Sequence, residues 1–338
     1  MSDIGKRKLE HIEALEQDKN ADRNKFYFDQ IKLVHRALPE LSLEEINTET
    51  EFLGKKMSIP LIISGMTGGN HKTLESININ LALACEQAKI AMCVGSQRVV
   101  FLDSDAKKSF QLRKFAPKSL LFANLGAVQL NYDFTIDHCK EVVDLLEADA
   151  LYLHLNPLQE AIQPEGNTDF SFLAKKIEKI VPELSVPVII KEVGSGISPT
   201  DARVLYNAGV RFIDVAGSGG TSWSRVENSR RSNDDLGLLF QDWGIPTPKA
   251  IELIDQMNLD ITLIASGGVR NGIDIAKAII LGARYVGIAK PFLALAKNSE
   301  AEVLRFINQI KKELKIAMFL MGISRIKYLQ SNKALVLN

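Results

Sequence analysis

The chain has 338 residues, 46% of them hydrophobic and 24% charged, with 41 basic residues balanced by 41 acidic ones. This composition is typical of an ordinary globular protein, so it excludes disordered, collagen-like and coiled-coil chains. The formal net charge of zero argues against a nucleic-acid-binding protein, and no apolar run approaches the roughly 18 residues that a membrane helix needs.

Two further features of the sequence indicate a cytoplasmic location. The basic N-terminal segment lacks the apolar stretch of a signal peptide. The three cysteines, Cys85, Cys93 and Cys139, are too few and too widely spaced for a disulfide framework or a zinc site. We therefore expect a reduced, cytoplasmic protein that associates with neither nucleic acid nor membrane.

An N-terminal extension over residues 1–55 precedes the first predicted strand, and its early residues are basic. Arg7 and His11 are four positions apart, so they share one face if this segment is helical, and Lys8 lies beside them. Such a group of cations suits an anionic ligand, although a solvated run of charges is commoner.

Eight short apolar runs follow, separated by segments with helical periodicity. This alternation is typical of repeated βα units and a parallel sheet. Eight units predict an α/β fold of the (β/α)8 TIM-barrel type, which we expect over residues 56–338. The predicted strands are Leu61–Ile63, Ile90–Val94, Leu120–Leu125, Ala150–Leu155, Val186–Lys191, Phe212–Val215, Ile261–Ser266 and Tyr285–Ile288.

The interval after the sixth strand is the longest and contains an insertion at residues 217–245. The chemistry of a (β/α)8 barrel takes place at the C-terminal ends of its strands, and the insertion starts from such an end. We therefore expect it to fold over the site as a lid. A mobile surface loop is the alternative.

The C-terminal ends of the predicted strands are polar or rich in glycine. Gly267 and Gly268 lead into a predicted helix, so their N–H groups and the helix dipole suit an anion, and Arg270 adds a charge. Loops after strands seven and eight are the usual phosphate site of this fold. We expect a substrate phosphate or a phosphorylated cofactor such as FMN here, with tight turns that merely need glycine as the alternative.

His154 and Asn156 lie on one face of the fourth predicted strand, and leucines occupy the other face. This alternation predicts that both polar side chains point towards the site, although a hydrogen-bonded core histidine fits the same pattern. Glu160, shortly afterwards, suits a hydrated Mg²⁺ that takes one or two protein oxygens. A solvated loop glutamate is the alternative.

Lys191 ends a buried apolar strand, where an ammonium group is costly unless it meets an anion or has a shifted pKa. It suits either a Schiff base with a carbonyl substrate or a positive charge beside an electron-rich cofactor ring. A side chain that reaches past the sheet to solvent is the third option. Because no Ser-His-Asp, Cys-His, Rossmann or kinase pattern appears, we expect a cofactor to supply the difficult chemistry.

Along nearly its full length the chain resembles the type 2, flavin-dependent isopentenyl diphosphate isomerases. The glycine-rich stretches are shared with other FMN barrels. The runs Asn156 to Glu160, Arg7-Lys8 and Ser96-Gln97-Arg98 are more specific to this family. The matching stretches are residues 7–11, 65–69, 95–98, 154–160, 191–194, 219–223 and 266–270.

The resemblance implies that the protein interconverts isopentenyl and dimethylallyl diphosphate by a 1,3-proton shift without net redox change. It implies reduced FMN as the group that delivers and removes protons, NADPH as its reductant, and Mg²⁺. It also implies a homotetramer or a homo-octamer.

The resemblance further implies roles for individual residues. Catalytic roles fall to His154, Gln159 and Lys191, and Mg²⁺ binding falls to Glu160. The implied FMN-binding residues are Met66, Thr67, Gly68, Ser96, Asn124, Lys191, Thr221, Gly268, Arg270, Ala289 and Lys290. The implied substrate-binding residues are Arg7, Lys8, His11, Ser96, Gln97, Arg98, Asn156 and Gln159.

Two other enzyme classes stay open on the residues alone. An FMN-dependent oxidoreductase of the hydroxyacid-oxidase kind shares the barrel, but it normally needs a histidine base in a late loop. All five histidines here precede the fifth strand. A Schiff-base aldolase would use Lys191 without a flavin. A non-enzymatic binding barrel is disfavoured by the crowded polar strand ends.

Overall fold

The computed structural model describes the backbone of residues 3–23, 25–230 and 235–337, and the side chains in these ranges from residue 7 onward. The N-terminal extension begins with helix α1 (Asp3–Gln17) and leads into an antiparallel hairpin of strands β1 (Thr50–Phe52) and β2 (Lys55–Met57), which ends two residues beyond the expected boundary at residue 55. Leu9, Ile12 and Leu15 recur at three-residue spacing in α1, so they share the face that packs inward.

Eight parallel strands form a closed barrel in which the last strand pairs with the first, which confirms the predicted (β/α)8 fold. Each predicted strand overlaps an observed one. The fifth predicted strand starts two residues later than expected because Pro187 has no N–H to donate to the sheet. The strands are β3 (Leu61–Ile63), β4 (Ala91–Cys93), β5 (Leu121–Gly126), β6 (Ala150–Leu155), β7 (Val188–Glu192), β8 (Phe212–Asp214), β9 (Thr262–Ser266) and β10 (Tyr285–Ile288).

Helices surround the barrel and connect its strands. The β4–β5 connection uses two 3-10 helices, Gln97–Phe101 and Ser104–Phe110, in place of an α-helix. The α-helices are α2 (Lys72–Ala88), α3 (Ile136–Leu146), α4 (Pro157–Ile162), α5 (Leu173–Ile180), α6 (Pro199–Asn207), α7 (Trp223–Asn228), α8 (Leu236–Leu239), α9 (Thr247–Asp255), α10 (Gly272–Leu281), α11 (Lys290–Asn298) and α12 (Glu300–Leu320). Within the described ranges, no helix combines the length and the apolar character that crossing a membrane requires.

The hairpin closes the N-terminal end of the barrel. The Phe52 ring stacks on Tyr285 with 4.0 Å between centroids, and it contacts Phe122 and Phe212 at 5.7 and 5.8 Å. These three partners lie at or near the starts of their strands, so Phe52 seals that end with apolar area. The opposite, C-terminal end is left to the polar loops.

Candidate active site

A cavity of about 230 Å³ opens at the C-terminal ends of the barrel strands. Helix α1 lies over one side of it, and Trp223 of the insertion lines another side. Most residues singled out in the sequence meet at this cavity. They are Arg7, Lys8, His11, Met66, Thr67, Ser96, Arg98, Asn124, His154, Asn156, Gln159, Glu160, Lys191, Thr221, Gly268, Arg270, Ala289 and Lys290.

Two of the expected residues, Gln97 and Gly68, do not line the cavity. The Gln97 side chain is fully buried, donates to the carbonyl of Val142 at 3.1 Å and accepts the Asn124 N–H at 3.0 Å. Its amide is therefore used inside the protein, and the expectation that it binds substrate is not supported by its position. Gly68 packs directly against the Phe110 ring, which leaves no space for a side chain.

Lys191 extends from β7 into the floor of the cavity. Its ammonium donates to the carbonyl of Glu192 at 2.6 Å and to Ser266 Oγ at 3.3 Å, and it lies 3.9 Å from the Asp214 carboxylate. Burial raises the pKa of Asp214, while Lys191 acts in the opposite direction. Lys191 thus presents a positive charge at the cavity floor, with a buried carboxylate beneath it.

His154 faces the cavity from β6, as the strand alternation predicted. Its Nδ1 lies 2.8 Å from Asn124 Oδ1, and Asn124 in turn donates to the carbonyl of Val94. Burial, together with the charges of Lys191 and Lys8, lowers the pKa of His154 to about 4, so the imidazole is neutral near pH 7. Since Asn124 Oδ1 can only accept, Nδ1 carries the proton and Nε2 remains an acceptor.

Arg7, Lys8 and Arg98 give one part of the cavity a positive charge. Lys8 Nζ donates to the carbonyl of Ser96 at 2.7 Å and lies 5.5 Å from the centre of the Phe110 ring. Burial lowers the pKa of Lys8 to about 7, and the neighbouring charge of Arg7 adds to this shift. Arg7 also pairs with Glu165 at 3.2 Å, and the cations together make this part of the cavity suitable for an anion.

Glu227 is a site residue that the sequence reasoning missed. Its carboxylate is fully buried and accepts hydrogen bonds from Gln159 Nε2 and Arg230 Nη1, both at 2.8 Å. It also lies 3.0 Å from His11 Nε2. Burial alone would raise the pKa of Glu227, but these partners outweigh it and lower the pKa to about 2.

A helical spacing within the insertion is the signal in the sequence that could have identified Glu227. Trp223, Glu227 and Arg230 are spaced four and three residues apart, so they share a face where α7 continues into a turn. That face meets α1, since Arg230 also pairs with Glu10 at 3.1 Å. Thr221 and Trp223 of the insertion thus line the cavity beside α1, and Glu227 accepts a hydrogen bond from the Gln159 amide.

Among the described residues that line the cavity, Glu160 is the single acidic one. Its Oε1 accepts from Asn156 at 2.9 Å, and its Oε2 accepts the N–H of Asn167 at 2.6 Å. Within the described ranges, no three His, Cys, Asp or Glu side chains gather as a metal-binding set. Glu160 is therefore the carboxylate that could hold a Mg²⁺ ion at this cavity, where the ion would supply positive charge.

The glycine-rich loops after β8 and β9 lie against each other. Gly267 and Gly268 have φ angles of +93° and +80°, which favour glycine, and a Cβ on Gly220 would lie 2.9 Å from the N–H nitrogen of Gly268. Both loops line the cavity wall, beside Arg270 and Lys290. The arrangement suits a phosphate group.

Comparison with known proteins identifies relatives over nearly the whole chain. The profile of the FMN-dependent dehydrogenase family matches residues 5–120 and 140–336. A protein of Paracoccus zeaxanthinifaciens named isopentenyl-diphosphate delta-isomerase is 49% identical over 98% of this chain and 97% of its own length. A protein of the same name from Hydrogenovibrio crunogenus is 48% identical over 99% of this chain and 98% of its own.

Solved structures with the same fold are more distant in sequence. A mandelate oxidase variant with a monooxide FMN adduct superposes with a TM-score of 0.64 at 17% identity, over 91% of this chain and 88% of its own. A flavocytochrome b2 variant with sulfite bound gives a TM-score of 0.67 at 20% identity, over 94% and 77%. These two show a shared barrel. The identity to the first two relatives goes further, and it confirms the family expected from the motifs: the chain belongs to the isopentenyl-diphosphate delta-isomerases, within the FMN-dependent dehydrogenase family.

Proposed function

We propose that the protein interconverts isopentenyl and dimethylallyl diphosphate by a 1,3-proton shift, with FMN in its reduced form as the cofactor. The observation that carries the proposal is the composition of one cavity in a chain of this family. It combines a positively charged end for a diphosphate, a second site for a phosphate at the glycine-rich loops, and few side-chain acids or bases between them.

The residues at the cavity fit a flavin by a test that is independent of the family. Ser64 Oγ and Thr67 Oγ1 are buried at the cavity wall and have no hydrogen-bond partner among the described residues. Such groups are costly unless a ligand satisfies them. When bound, reduced FMN supplies a ring that accepts and returns protons. Ser64, Thr67 and the Gly267-Gly268 loop would contact it, and the Lys191 ammonium would favour its anionic form.

The cations of α1 would bind the diphosphate of the substrate. Arg7, Lys8 and Arg98 would supply charge-assisted hydrogen bonds, and Glu160 would hold Mg²⁺, which would supply further positive charge for the phosphate groups. Asn156 orients Glu160 by donating to it at 2.9 Å. Neutralisation by cations and metal together suits the charge of a diphosphate.

The neutral side chains lie where the hydrocarbon part of the substrate would react. Gln159 lines the cavity, and its amide is held at both ends, since Nε2 donates to Glu227 at 2.8 Å and Oε1 accepts from Asn156 at 3.1 Å. His154 is neutral and offers Nε2 as an acceptor. We propose that these two side chains position the substrate carbon and the proton, while α1 and Trp223 exclude water.

The aldolase alternative is less well supported by the contacts of Lys191. A Schiff-base lysine must become neutral to attack a carbonyl, whereas this ammonium donates two hydrogen bonds and lies near a carboxylate. NADPH as the reductant, a cytoplasmic location and assembly into a homotetramer or homo-octamer stay predictions from the family resemblance.

The test is turnover of isopentenyl diphosphate under anaerobic conditions, with FMN, NADPH and Mg²⁺ each omitted in turn. We expect turnover to vanish without FMN or without reductant and to fall sharply in EDTA, with recovery on added Mg²⁺. Tight FMN binding without isomerase turnover would favour an oxidoreductase. Absence of both FMN binding and turnover would favour the aldolase alternative. Borohydride trapping with a carbonyl substrate would then test whether Lys191 forms a Schiff base.

A further inference from the structure

A carboxylate from the N-terminal extension faces the two cations of the expected phosphate site. Asp22 Oδ1 accepts a hydrogen bond from Arg270 Nη2, and Asp22 Oδ2 lies 3.6 Å from Lys290 Nζ. Both cations line the cavity, whereas Asp22 stands behind them. All three side chains are between 21% and 23% exposed, so their charges are only partly screened by solvent.

The backbone around Asp22 is fixed independently of its carboxylate. We call residues 21–23 and 25–28 the strap segment. Asp22 forms a β-bridge with Thr221, and the Arg23 N–H donates to the carbonyl of Gly220 at 3.1 Å. On its far side, the carbonyl of Phe28 accepts from buried Lys277 at 2.7 Å. Loss of the Asp22 charge should therefore leave the strap segment in place.

Arg270 is also held without Asp22. Its guanidinium donates to the carbonyl of Val269 at 3.0 Å and stacks over the Phe26 ring at 4.7 Å. The contribution of Asp22 is therefore mainly its charge, not the orientation of Arg270. That charge cancels one of the two positive charges that Arg270 and Lys290 offer to a dianionic phosphate.

We propose that Asp22 sets how strongly the site discriminates a phosphorylated flavin from an unphosphorylated one. It lowers the affinity for the phosphate group without contacting the flavin ring. The inference rests on the proposed function, because it assigns the phosphate of FMN to the loops beside Arg270 and Lys290. Riboflavin has the same ring system without the phosphate, so it separates the two contributions.

The experiment compares the dissociation constants of FMN and riboflavin, measured by flavin fluorescence, for the full-length protein and for Asp22→Asn. We expect FMN to bind about tenfold more tightly to Asp22→Asn, since one charge near a dianion at intermediate dielectric is worth about 1.4 kcal/mol. Riboflavin affinity should stay unchanged. The gain for FMN should shrink as salt rises from low to high concentration.

Asp29→Asn is the matched control, because Asp29 directly follows the strap segment in the chain and its charge acts on Lys277 instead of Arg270 and Lys290. It should change neither affinity. Thermal unfolding of each variant checks that the strap segment stays docked. Equal or weaker FMN binding by Asp22→Asn, with riboflavin binding intact, would overturn the inference, and weaker binding would make Asp22 a positioning residue. Failure of the unmodified protein to bind FMN would instead refute the proposed function.

Discussion

Glu227→Gln tests the contact between the insertion and helix α1. The glutamine keeps the size of the side chain but removes the charge that His11 and Arg230 face. Its partners lower the pKa of Glu227 from 4.5 to about 2. Because each tenfold change in a protonation equilibrium corresponds to about 1.36 kcal/mol, ionised Glu227 stabilises the folded protein by roughly 3 kcal/mol.

This contribution has a defined pH window. Because the folded-state pKa is lowered, the stabilisation is present above the unfolded value of 4.5 and is lost as the pH falls towards 2. We therefore expect Glu227→Gln to lower the free energy of unfolding by about 3 kcal/mol at pH 7. The difference from the unmodified protein should diminish between pH 4.5 and pH 2.

The assay is urea unfolding at several pH values, followed by circular dichroism, with isomerase turnover measured in parallel. Glu165→Gln is the matched control, because Glu165 also accepts from Arg230 at 2.8 Å but its side chain is 46% exposed. An exposed pair of this kind is worth under about 1 kcal/mol. Equal losses for the two variants at pH 7, or a Glu227→Gln difference that does not depend on pH, would refute the reasoning.

Three further predictions concern the cavity. Burial lowers the pKa of Lys8 to about 7, so Lys8 loses its charge as the pH rises above 7. The affinity for the diphosphate, measured by calorimetric titration, should therefore fall by up to about tenfold per pH unit above 7. Lys8→Arg should remove this pH dependence. Lys191→Ala should lower turnover by about 10² or more, while thermal unfolding shows an intact fold. Normal flavin reduction together with normal turnover would contradict the role assigned to Lys191. Gln159→Asn should lower turnover by about 10² at saturating substrate, because the shorter side chain misplaces the amide. The FMN content, measured by absorbance, should stay unchanged. Full turnover would disprove the role of Gln159.

The barrel and many of its cavity residues could be predicted because they depend on local patterns. Strand periodicity places His154 on the inner face of β6, and the position of Lys191 at the end of an apolar strand brings it to the cavity floor. The ends of parallel strands meet by topology, so polar residues at those ends converge without any knowledge of packing. These relations act over a few residues and are readable in the chain.

Other features were decided only by tertiary packing. The contact of His11 with Glu227 joins two segments far apart in the chain, and no local pattern specifies that they meet. Gln97 illustrates the converse, because its motif suggested a ligand-binding residue but its amide satisfies the backbone of Val142 and Asn124 inside the protein. Which buried polar group turns towards the cavity and which turns into the wall depends on hydrogen-bond partners supplied by distant strands. For this protein, then, periodicity along the chain determined the barrel and its polar end, whereas the docking of α1 and the insertion brought Arg7, Lys8 and Glu227 to that end from distant parts of the chain.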